Sequence, residues 1–426
     1  MTQIGEEIHA LATRLFPINR SLTGDGVRET LRILGEHLPG LTIHEVPSGT
    51  RVNDWVVPPE WNVREAYVLD PAGDRIIDFK RHNLHLVGYS VPIRKKVSLA
   101  ELQEHLYSLP AQPDAIPYIT SYYKERWGFC VTHNQRQTIT QEGEYTVVID
   151  SDLRDGSLTY AELLIPGARD EEIFFSTYVC HPSMGDNELS GPTVTTFLAK
   201  WLLAAPRKFS YRIVFIPETI GSITYLSRNL AEMKRRIVAG YNVTCVGDDR
   251  AWSYLPSRRE DTPADRAALH VLAHLHPDFI RYSYLDRGSD ERQYCAPGVD
   301  LPVASVMRSK YGTYPEYHTS LDDLNLITPS GLQGSYEALQ KCVECLEADE
   351  RLRVTVLGEP QLGKRGLYPT LSTKETAAQV RDMMNLIAYC DGTRSLLEIA
   401  EKIGAPMWTL IPIAERLKVE GLLEVV

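Results

Sequence analysis

Polar residues that could bind a metal follow directly after a strand-like run of the sequence. The hydrophobic run Ile173–Val179 leads into His181, and the carboxylates Asp186 and Glu188 stand in the polar turn that follows. Open α/β sheets bind ligands outside the carboxyl ends of their strands. An imidazole beside carboxylates at such an edge is typical of a zinc site. The same residues also fit a half-buried histidine with a carboxylate that caps the next helix.

Two further groups stand at the ends of other strand-like runs. Glu218 lies between such a run and a helical pattern. A lone carboxylate there suits a general base that deprotonates a metal-bound water, or else an acidic residue facing a helix dipole. His318 lies in a Tyr-His-Thr turn after the run Val303–Met307. Together the three groups favour a metal-dependent catalytic site over three separate structural roles.

The elements that must position these groups alternate between strand and helix. Strands are predicted at Ile173–Val179, Arg212–Ile216, Ile237–Val246 and Val303–Met307, and helices at Pro192–Ala204, Ser222–Met233, Arg266–His274 and Leu332–Glu347. This alternation predicts an α/β sandwich. We expect Leu41–Val57 to pair into its sheet, which makes the β-rich stretch 58–157 an insertion. Helix, turn, helix and a short strand at the C-terminal end predict a winged-helix domain.

Composition and charge exclude several classes of protein. Of the 426 residues 43% are hydrophobic and 24% are charged, which is typical of folded proteins rather than disordered or collagen-like chains. The net charge of −11 makes nucleic acid an unfavourable partner, and residues 355–426 carry nine acidic against eight basic residues. Seven cysteines do not suggest a disulfide framework. Without an 18-residue apolar run or a signal peptide, we expect a cytoplasmic protein with no membrane span.

The motifs from residue 161 to about 345 form a recognisable series. In chain order they are His181, Asn187-Glu188-Leu189-Ser190-Gly191, Glu218-Thr219, Asn242-Val243-Thr244, Ser289-Asp290-Glu291, Leu301-Pro302-Val303 and Tyr317-His318-Thr319. This series resembles the zinc aminopeptidase family that includes bacterial leucyl aminopeptidases and, more distantly, glutaminyl cyclases. The Tyr-His-Thr turn is the most specific of the motifs. The resemblance implies a three-layer α/β/α domain that cleaves a peptide or amide bond with zinc, and it makes Glu218 the general base.

Three positions depart from the pattern of that family. Where it has a bridging aspartate, a second glutamate and a later aspartate as ligands, this chain has Asn187, Thr219 and Thr244. Neutral side chains cannot balance two closely spaced divalent cations. We therefore predict one zinc ion rather than two.

The ligands predicted for that ion are His181, His318 and one carboxylate, which is either Asp186 or Glu188. Three protein ligands with one open position are the usual arrangement of a catalytic zinc. Cys180 and Cys295 flank this region, but the sequence gives neither of them a general-base partner. Arg287, Asp290 and Tyr317 are further candidates for the substrate cavity, without assigned roles.

The whole chain resembles a bacterial subgroup of the family that carries a β insertion and a C-terminal winged helix. Members of this subgroup are often labelled as associated with polysaccharide biosynthesis. The resemblance implies an aminopeptidase-like α/β domain at residues 1–57 and 158–350, an inserted β-rich domain at 58–157 and a winged-helix domain at 356–426.

The functional prediction is a zinc-dependent hydrolase acting on a small peptide or amide. The winged helix is close to neutral, so we expect it to make protein contacts, and we expect a homo-oligomer. Two alternatives stay open. One is a binding or regulatory protein on a degenerate peptidase fold that acts through its winged helix. The other is a zinc amidase or deacylase acting on a sugar derivative.

Overall fold

The computed structural model describes residues 3–367 and 374–426 of the chain. Contacts divide the chain into two compact units. The first contains the residues up to Thr262 together with Ile280–Tyr336, and the second contains Pro263–Phe279 together with Glu337–Val426. All the predicted ligands and the predicted base belong to the first unit.

The first unit begins with two helices and a strand of the central sheet. Its elements are α1 (Gln3–Leu15), α2 (Asp25–Gly35), β1 (Thr42–Pro47), β2 (Arg51–Val52) and β3 (Trp55–Val56). In α2, Val27, Leu31 and Leu34 recur at helical spacing and are buried, so this stripe packs into the core. β1 pairs with a strand that begins at Ser157, so the first part of the predicted stretch Leu41–Val57 enters the central sheet. The rest of that stretch does not, because β2 and β3 form a separate two-stranded sheet.

The stretch predicted as a β insertion contains an antiparallel sheet of its own. Its elements are β4 (Glu60–Leu69), β5 (Arg75–Asp78), β6 (Ile93–Ser98), α3 (Leu99–Glu104), β7 (Leu106–Tyr107), β8 (Phe129–Cys130), α4 (His133–Thr138) and β9 (Glu144–Arg154). Four strands pair in the order β5-β4-β9-β6, and β7 pairs with β8. Tyr145, Val147 and Ile149 alternate along β9 and belong to one apolar cluster, so one face of this sheet packs on the core.

From residue 157 to residue 348 strands and helices alternate, as predicted. The elements are β10 (Ser157–Ile165), β11 (Glu172–Tyr178), α5 (Ser190–Leu203), β12 (Ser210–Ile216), α6 (Ile220–Arg236), β13 (Ile237–Asn242), β14 (Ser253–Leu255), α7 (Pro263–Leu275), β15 (Ile280–Arg281), α8 (Glu291–Tyr294), β16 (Val303–Met307) and α9 (Pro329–Ala348). Of these, α7 and the end of α9 belong to the second unit. The central sheet has eight strands in the order β1-β10-β12-β11-β13-β16-β14-β15.

The connections of the central sheet place helices on both of its faces. β11 lies between β12 and β13 and runs parallel to both. The connection through α5 therefore leads from β11 to its neighbour β12. The connection through α6 leads from β12 in the opposite direction, past β11, to β13. Because such crossovers are right-handed, α5 and α6 cover opposite faces. The predicted α/β class with a three-layer α/β/α domain is confirmed. β13 and β16 are also parallel, so four strands end at one edge of the sheet.

The second unit ends in a helix-turn-helix followed by a strand. Its C-terminal elements are β17 (Arg351–Val354), α10 (Lys374–Tyr389), β18 (Asp391–Ser395), α11 (Leu396–Ile403), α12 (Met407–Val419) and β19 (Leu423–Val425). The strands form a sheet in the order β18-β17-β19. Ser395 and Glu398 form a capping box at the start of α11, and Gly404 ends this helix in the left-handed conformation. This is the order of elements predicted for the C-terminal winged helix, of which residues 368–373 lie outside the described residues.

Two further observations concern the described part of the chain. The seven cysteines are buried and form no disulfide bond within these ranges, so the fold there is held by packing and hydrogen bonds. Within the same ranges, no helix combines the length and the apolar character that crossing a bilayer requires.

Candidate functional site

His181 follows β11 at the edge where the parallel strands end. The residue is 3% exposed, and its Nδ1 atom lies 2.8 Å from Oε2 of Glu188. Its other ring nitrogen, Nε2, lies 3.6 Å from Oε2 of Glu218. Burial lowers the pKa of His181 to about 3. The ring is therefore neutral at physiological pH, which is the form that binds a metal ion.

Glu188 is a buried carboxylate on the short π-helix Gly185–Leu189. Its Oε1 atom has no hydrogen-bond partner among the described residues and lies 3.7 Å from Nε of Arg20. Arg20 is also buried and donates a hydrogen bond to the backbone oxygen of His181. Burial raises the pKa of Glu188 to about 8 despite this cation. A buried carboxylate that lies beside a neutral imidazole, with one oxygen that accepts no hydrogen bond, is suited to bind a further cation.

Glu218 lies between β12 and α6, as predicted from the sequence. Its backbone N–H donates to Sγ of Cys180, which ties it to the end of β11. Burial, followed by the charge of Asp290, raises the pKa of the Glu218 side chain to about 8. A carboxyl group with such a pKa can take up and release a proton near neutral pH.

His318 comes from the Tyr-His-Thr turn and completes the set of predicted groups. Its backbone has a φ of 57°, and its Nε2 atom is buried without a hydrogen-bond partner among the described residues. The rings of His181 and His318 have their centroids 5.4 Å apart. Tyr118 meets both rings edge-on, with its own centroid 5.2 Å from each. Burial lowers the pKa of His318 to about 3, so this imidazole is also neutral.

Asp186 is the other carboxylate considered as a ligand, and its Oδ2 atom is also buried without a hydrogen-bond partner among the described residues. Its Oδ1 atom accepts a hydrogen bond from the backbone N–H of Gly247 at 2.7 Å. Burial and the charges of Asp248 and Asp322 raise its pKa well above the ordinary value. Of the two carboxylates that the sequence left open, Glu188 is the one that contacts His181.

Donor atoms around His181 form a group that could hold a metal ion. Cys180, His181 and Glu188 each offer an atom, and these atoms all lie within 4.8 Å of one another. Burial raises the pKa of the Cys180 thiol well above its usual value, which disfavours the thiolate that would act as a ligand or nucleophile. Oε1 of Glu188, which faces Arg20 at 3.7 Å, and Nε2 of His318 are both buried without a hydrogen-bond partner among the described residues.

The neutral residues Asn187 and Thr244 bind each other through Tyr178. The hydroxyl of Tyr178 donates to Oδ1 of Asn187 at 3.2 Å and lies 2.5 Å from Oγ1 of Thr244. Thr244 in turn donates to the backbone oxygen of Asn187. All three residues are buried, and this cluster supplies no charge for a second cation.

Thr219 stands in a strained turn beside Glu218. Its φ is 63°, a value that β-branched residues rarely adopt. Oδ1 of Asp290 holds the turn by accepting hydrogen bonds from the Thr219 backbone at 2.7 Å and from Ser222 at 2.8 Å. The Thr219 hydroxyl accepts a hydrogen bond from Arg292. Asp290 is thus a buried support of this turn.

The site opens into a cavity of about 380 Å³. Its polar lining includes Cys180, His181, Glu218, Thr219, Arg292 and His318, and its aromatic lining consists of Trp55, Tyr118, Tyr122 and Tyr123. Sequence reasoning missed Arg292 and the aromatic residues, because they come from segments far from His181 in the chain. The only sequence signal for Arg292 is its position two residues after Asp290, which the sequence already suggests as a candidate for the substrate cavity. Tyr317 stacks on His318, and Arg287 is exposed.

The predicted insertion supplies part of this cavity wall. The backbone N–H of Tyr118 donates to the backbone oxygen of His318, and the N–H of Ser320 donates to the oxygen of Ile116, each at 2.9 Å. Pro117 also forms a β-bridge with Thr319. The segment that carries Tyr118 is therefore fixed to the loop that carries His318.

Comparisons with known proteins cover most of the chain. A family model described as a domain of unknown function (DUF4910) matches residues 9–349, and a winged helix-turn-helix model matches residues 350–425. A protein of Clostridium acetobutylicum is 45% identical over 405 residues, which are 95% of this chain and 92% of that protein. Its provisional name is polysaccharide biosynthesis protein with an aminopeptidase-like domain.

Solved structures share the fold. The crystal structure of a provisionally named peptidase from Clostridium acetobutylicum is 44% identical, has a TM-score of 0.94 and is matched over 100% of this chain and 97% of that one. The zinc aminopeptidase BSAP of Bacillus subtilis has a TM-score of 0.58 at 11% identity, over 80% of this chain and 94% of that one. A peptidase M28 precursor of Shewanella amazonensis has a TM-score of 0.55 at 12% identity, over 84% and 97%. The last two likenesses are of fold alone, and they agree with the aminopeptidase-like class expected from the motifs.

Proposed function

This chain belongs to the DUF4910 family, and we propose that it is a metal-dependent hydrolase of the aminopeptidase type, cleaving an amide or peptide bond. One observation carries the proposal. Two neutral imidazoles and a carboxyl group with a raised pKa line the same cavity, at the edge of the sheet where four parallel strands end. Titratable side chains with shifted pKa values that line one cavity are typical of a catalytic site rather than of separate structural roles.

The residues that would hold one divalent ion are His181, His318 and Glu188. Their donors are two nitrogens and one oxygen, a set that zinc accepts. A bound zinc ion supplies a Lewis acid that polarises a carbonyl and lowers the pKa of water. The neutral cluster around Asn187 and Thr244 supports one ion per chain rather than two.

Glu218 is the proposed general base and general acid. Its carboxylate accepts a proton from the attacking water and then donates that proton to the leaving nitrogen, so that the side chain ends as it began. Asp290 and burial keep the pKa of Glu218 near the pH at which both transfers are feasible. The side chains of Tyr118 and Tyr122 stay protonated because burial raises their pKa values. Their hydroxyl groups lie 3.1 Å apart, so one donates to the other and the pair keeps one O–H that can donate to a polar substrate.

The substrate proposed is a small peptide or amide, with a link to the biosynthesis of surface polysaccharides. The provisional name of the Clostridium relative supports this link. A deacylase acting on a sugar derivative fits the same residues, because it breaks the same kind of bond. We also propose a cytoplasmic homo-oligomer whose winged helix contacts protein rather than nucleic acid.

A second candidate function is that of a binding or regulatory protein on a peptidase fold. The observation that favours it is the hydrogen-bonded cluster of Tyr178, Asn187 and Thr244, in which no carboxylate is available to a metal ion. A protein of this kind would neither retain zinc nor hydrolyse amides.

The test combines metal analysis with hydrolysis assays on peptides, acyl amides and N-acetyl sugars. We expect about one zinc per chain in the wild type, loss of zinc in His181→Ala and His318→Ala, and retention of zinc in Glu218→Gln. Glu218→Gln should lower kcat by roughly 10²- to 10⁴-fold, the usual contribution of a general base. The matched control is Glu125→Gln, which removes an exposed carboxylate that belongs to the insertion and does not line the cavity. Full activity in Glu218→Gln contradicts the mechanism, and a protein that cannot be loaded with zinc favours the second candidate.

A further inference from the structure

The cavity contains one carboxyl group and one guanidinium group among its lining side chains. These are Glu218 and Arg292. Arginine is charged at any physiological pH. The permanent positive charge on the wall of the cavity, apart from any bound metal, is therefore that of Arg292.

Arg292 is tethered at the mouth of the cavity. Its Nη2 atom donates a hydrogen bond to the Thr219 hydroxyl at 2.7 Å. Thr219 cannot move freely, because Asp290 holds its backbone N–H and because Ser222 binds the same Asp290 oxygen. A strained residue fixed by buried partners is a common feature of ligand sites. The strained turn thus positions the guanidinium group against the cavity.

No carboxylate forms an ion pair with Arg292 among residues 3–367 and 374–426. Its hydrogen bond to Thr219 leaves the remaining N–H groups of the guanidinium available. By contrast, Arg212 is paired with Glu172 and Arg28 is paired with Glu60. A guanidinium that is anchored through a neutral hydroxyl keeps its charge for a ligand.

From these contacts we propose that Arg292 binds a carboxylate or phosphate group of the amide substrate, so that this chain acts on anionic acyl amides rather than on peptides with a free amino terminus. The inference rests on the proposed hydrolase function and specifies its substrate class. A free ammonium group would be repelled by Arg292, and Glu218, the carboxyl group that lines the cavity, is assigned to proton transfer. The planar guanidinium suits carboxylate and phosphate equally well.

The remaining walls agree with a substrate that has an apolar or ring-shaped part. Trp55, Tyr123 and Leu22 supply broad apolar surface, and the volume of about 380 Å³ lies within the usual range for small-molecule sites. Such walls favour burial of an acyl group or a sugar ring, while Arg292 fixes the charged end.

Calorimetric binding to the full chain, loaded with zinc, tests the inference independently of turnover. Two matched pairs of probes separate the two anions: N-acetyl-L-tyrosine against N-acetyl-L-tyrosinamide, and N-acetylglucosamine 6-phosphate against N-acetylglucosamine. We expect the charged member of at least one pair to bind on the order of 10- to 100-fold more tightly, as for a charge-assisted hydrogen bond. The pair that shows the preference identifies the anion.

Two variants separate recognition from structural support. Arg292→Gln should abolish the preference and leave the neutral probe bound as before, whereas Arg287→Gln, which removes an exposed arginine outside the cavity, should preserve it. The inference is overturned if the two members of each pair bind alike, if no probe binds, or if Arg292→Gln weakens both members equally. Preferential binding that depends on Arg292 without any hydrolysis supports the inference and removes only the hydrolase proposal.

Discussion

Metal binding should release protons from two carboxyl groups, those of Glu188 and Glu218, and the number of protons can be predicted. Glu188 and Glu218 both have pKa values of about 8 in the metal-free protein, chiefly because of burial. A nearby divalent cation favours the ionised form of each group. His181 and His318, with pKa values of about 3, are already unprotonated and contribute no protons at neutral pH.

The number follows from the pKa values. At pH 7 a group with a pKa of about 8 is roughly 90% protonated, so two such groups contribute about 1.8 protons to the release when zinc binds. At pH 9 each group is only about 10% protonated, and their contribution falls to about 0.2 protons. The contribution of the carboxyl groups should therefore decline steadily as the pH rises between these limits, while ionisation of zinc-bound water adds protons to the total.

The assay is calorimetric titration of the metal-free protein with zinc in buffers of different ionisation enthalpy. The slope of the observed enthalpy against the buffer ionisation enthalpy gives the number of protons released. Glu188→Gln and Glu218→Gln should each reduce the release at pH 7 by about 0.9, since each removes one protonated carboxyl group. Glu125→Gln, whose carboxylate lies outside the cavity, serves as the control and should leave the slope unchanged.

The reasoning fails if the wild type releases fewer than about 0.5 protons at pH 7, because the two carboxyl groups would then be ionised before the metal arrives. It also fails if the release does not depend on Glu218, since the proposed base would then lie outside the influence of the ion. The differences in release between the wild type and the two Gln variants should shrink from about 0.9 proton at pH 7 to about 0.1 at pH 9. Differences that stay constant over this range contradict the pKa values themselves.

Two further predictions concern folding stability. In metal-free protein, Glu188 has a folded pKa of about 8 against an ordinary value of 4.5, so the folded state binds the extra proton and stability falls as the pH rises between these values. The share of Glu188 in this fall amounts to at most about 5 kcal/mol. Urea unfolding at pH 5 and pH 9 should show the fall in the wild type and a smaller fall in Glu188→Gln, in which Glu218, whose pKa is also raised to about 8, still contributes. Ser395→Ala removes the capping box of α11 and should cost about 1 kcal/mol in thermal or urea unfolding, while an unchanged stability would show that the cap contributes nothing.

The sequence predicted the central sheet because its strands are buried on both faces. Continuous apolar runs such as Val303–Met307 have no other stable environment, and this strand has the predicted bounds. His181 and Glu218 were found for a related reason, since each is a polar residue that closely follows an apolar run. His318 was found through its Tyr-His-Thr turn, which comes later after the run Val303–Met307. The structure brings these three side chains to one cavity.

Residues supplied by distant segments could not be found in this way. Tyr118 belongs to the insertion, and it reaches His318 only because the two backbones are hydrogen-bonded. Arg292 reaches the cavity because Thr219 adopts a positive φ and offers its hydroxyl. Neither contact leaves a periodic pattern in the sequence, because both depend on backbone conformation and on tertiary pairing.

The unresolved choice between Asp186 and Glu188 has a specific structural reason. The positions of Asp186 and Glu188 just before the helix that begins at Ser190 would show which of them faces His181 only if this turn were regular. Instead the chain forms a π-helix, in which the N–H of Leu189 donates to the backbone oxygen of Met184, five residues back. A wider turn changes the directions in which neighbouring side chains point. Glu188 consequently faces His181 while Asp186 faces the backbone of Gly247. Spacing alone cannot reveal an extra residue within one helical turn, and this residue determines which carboxylate contacts the histidine.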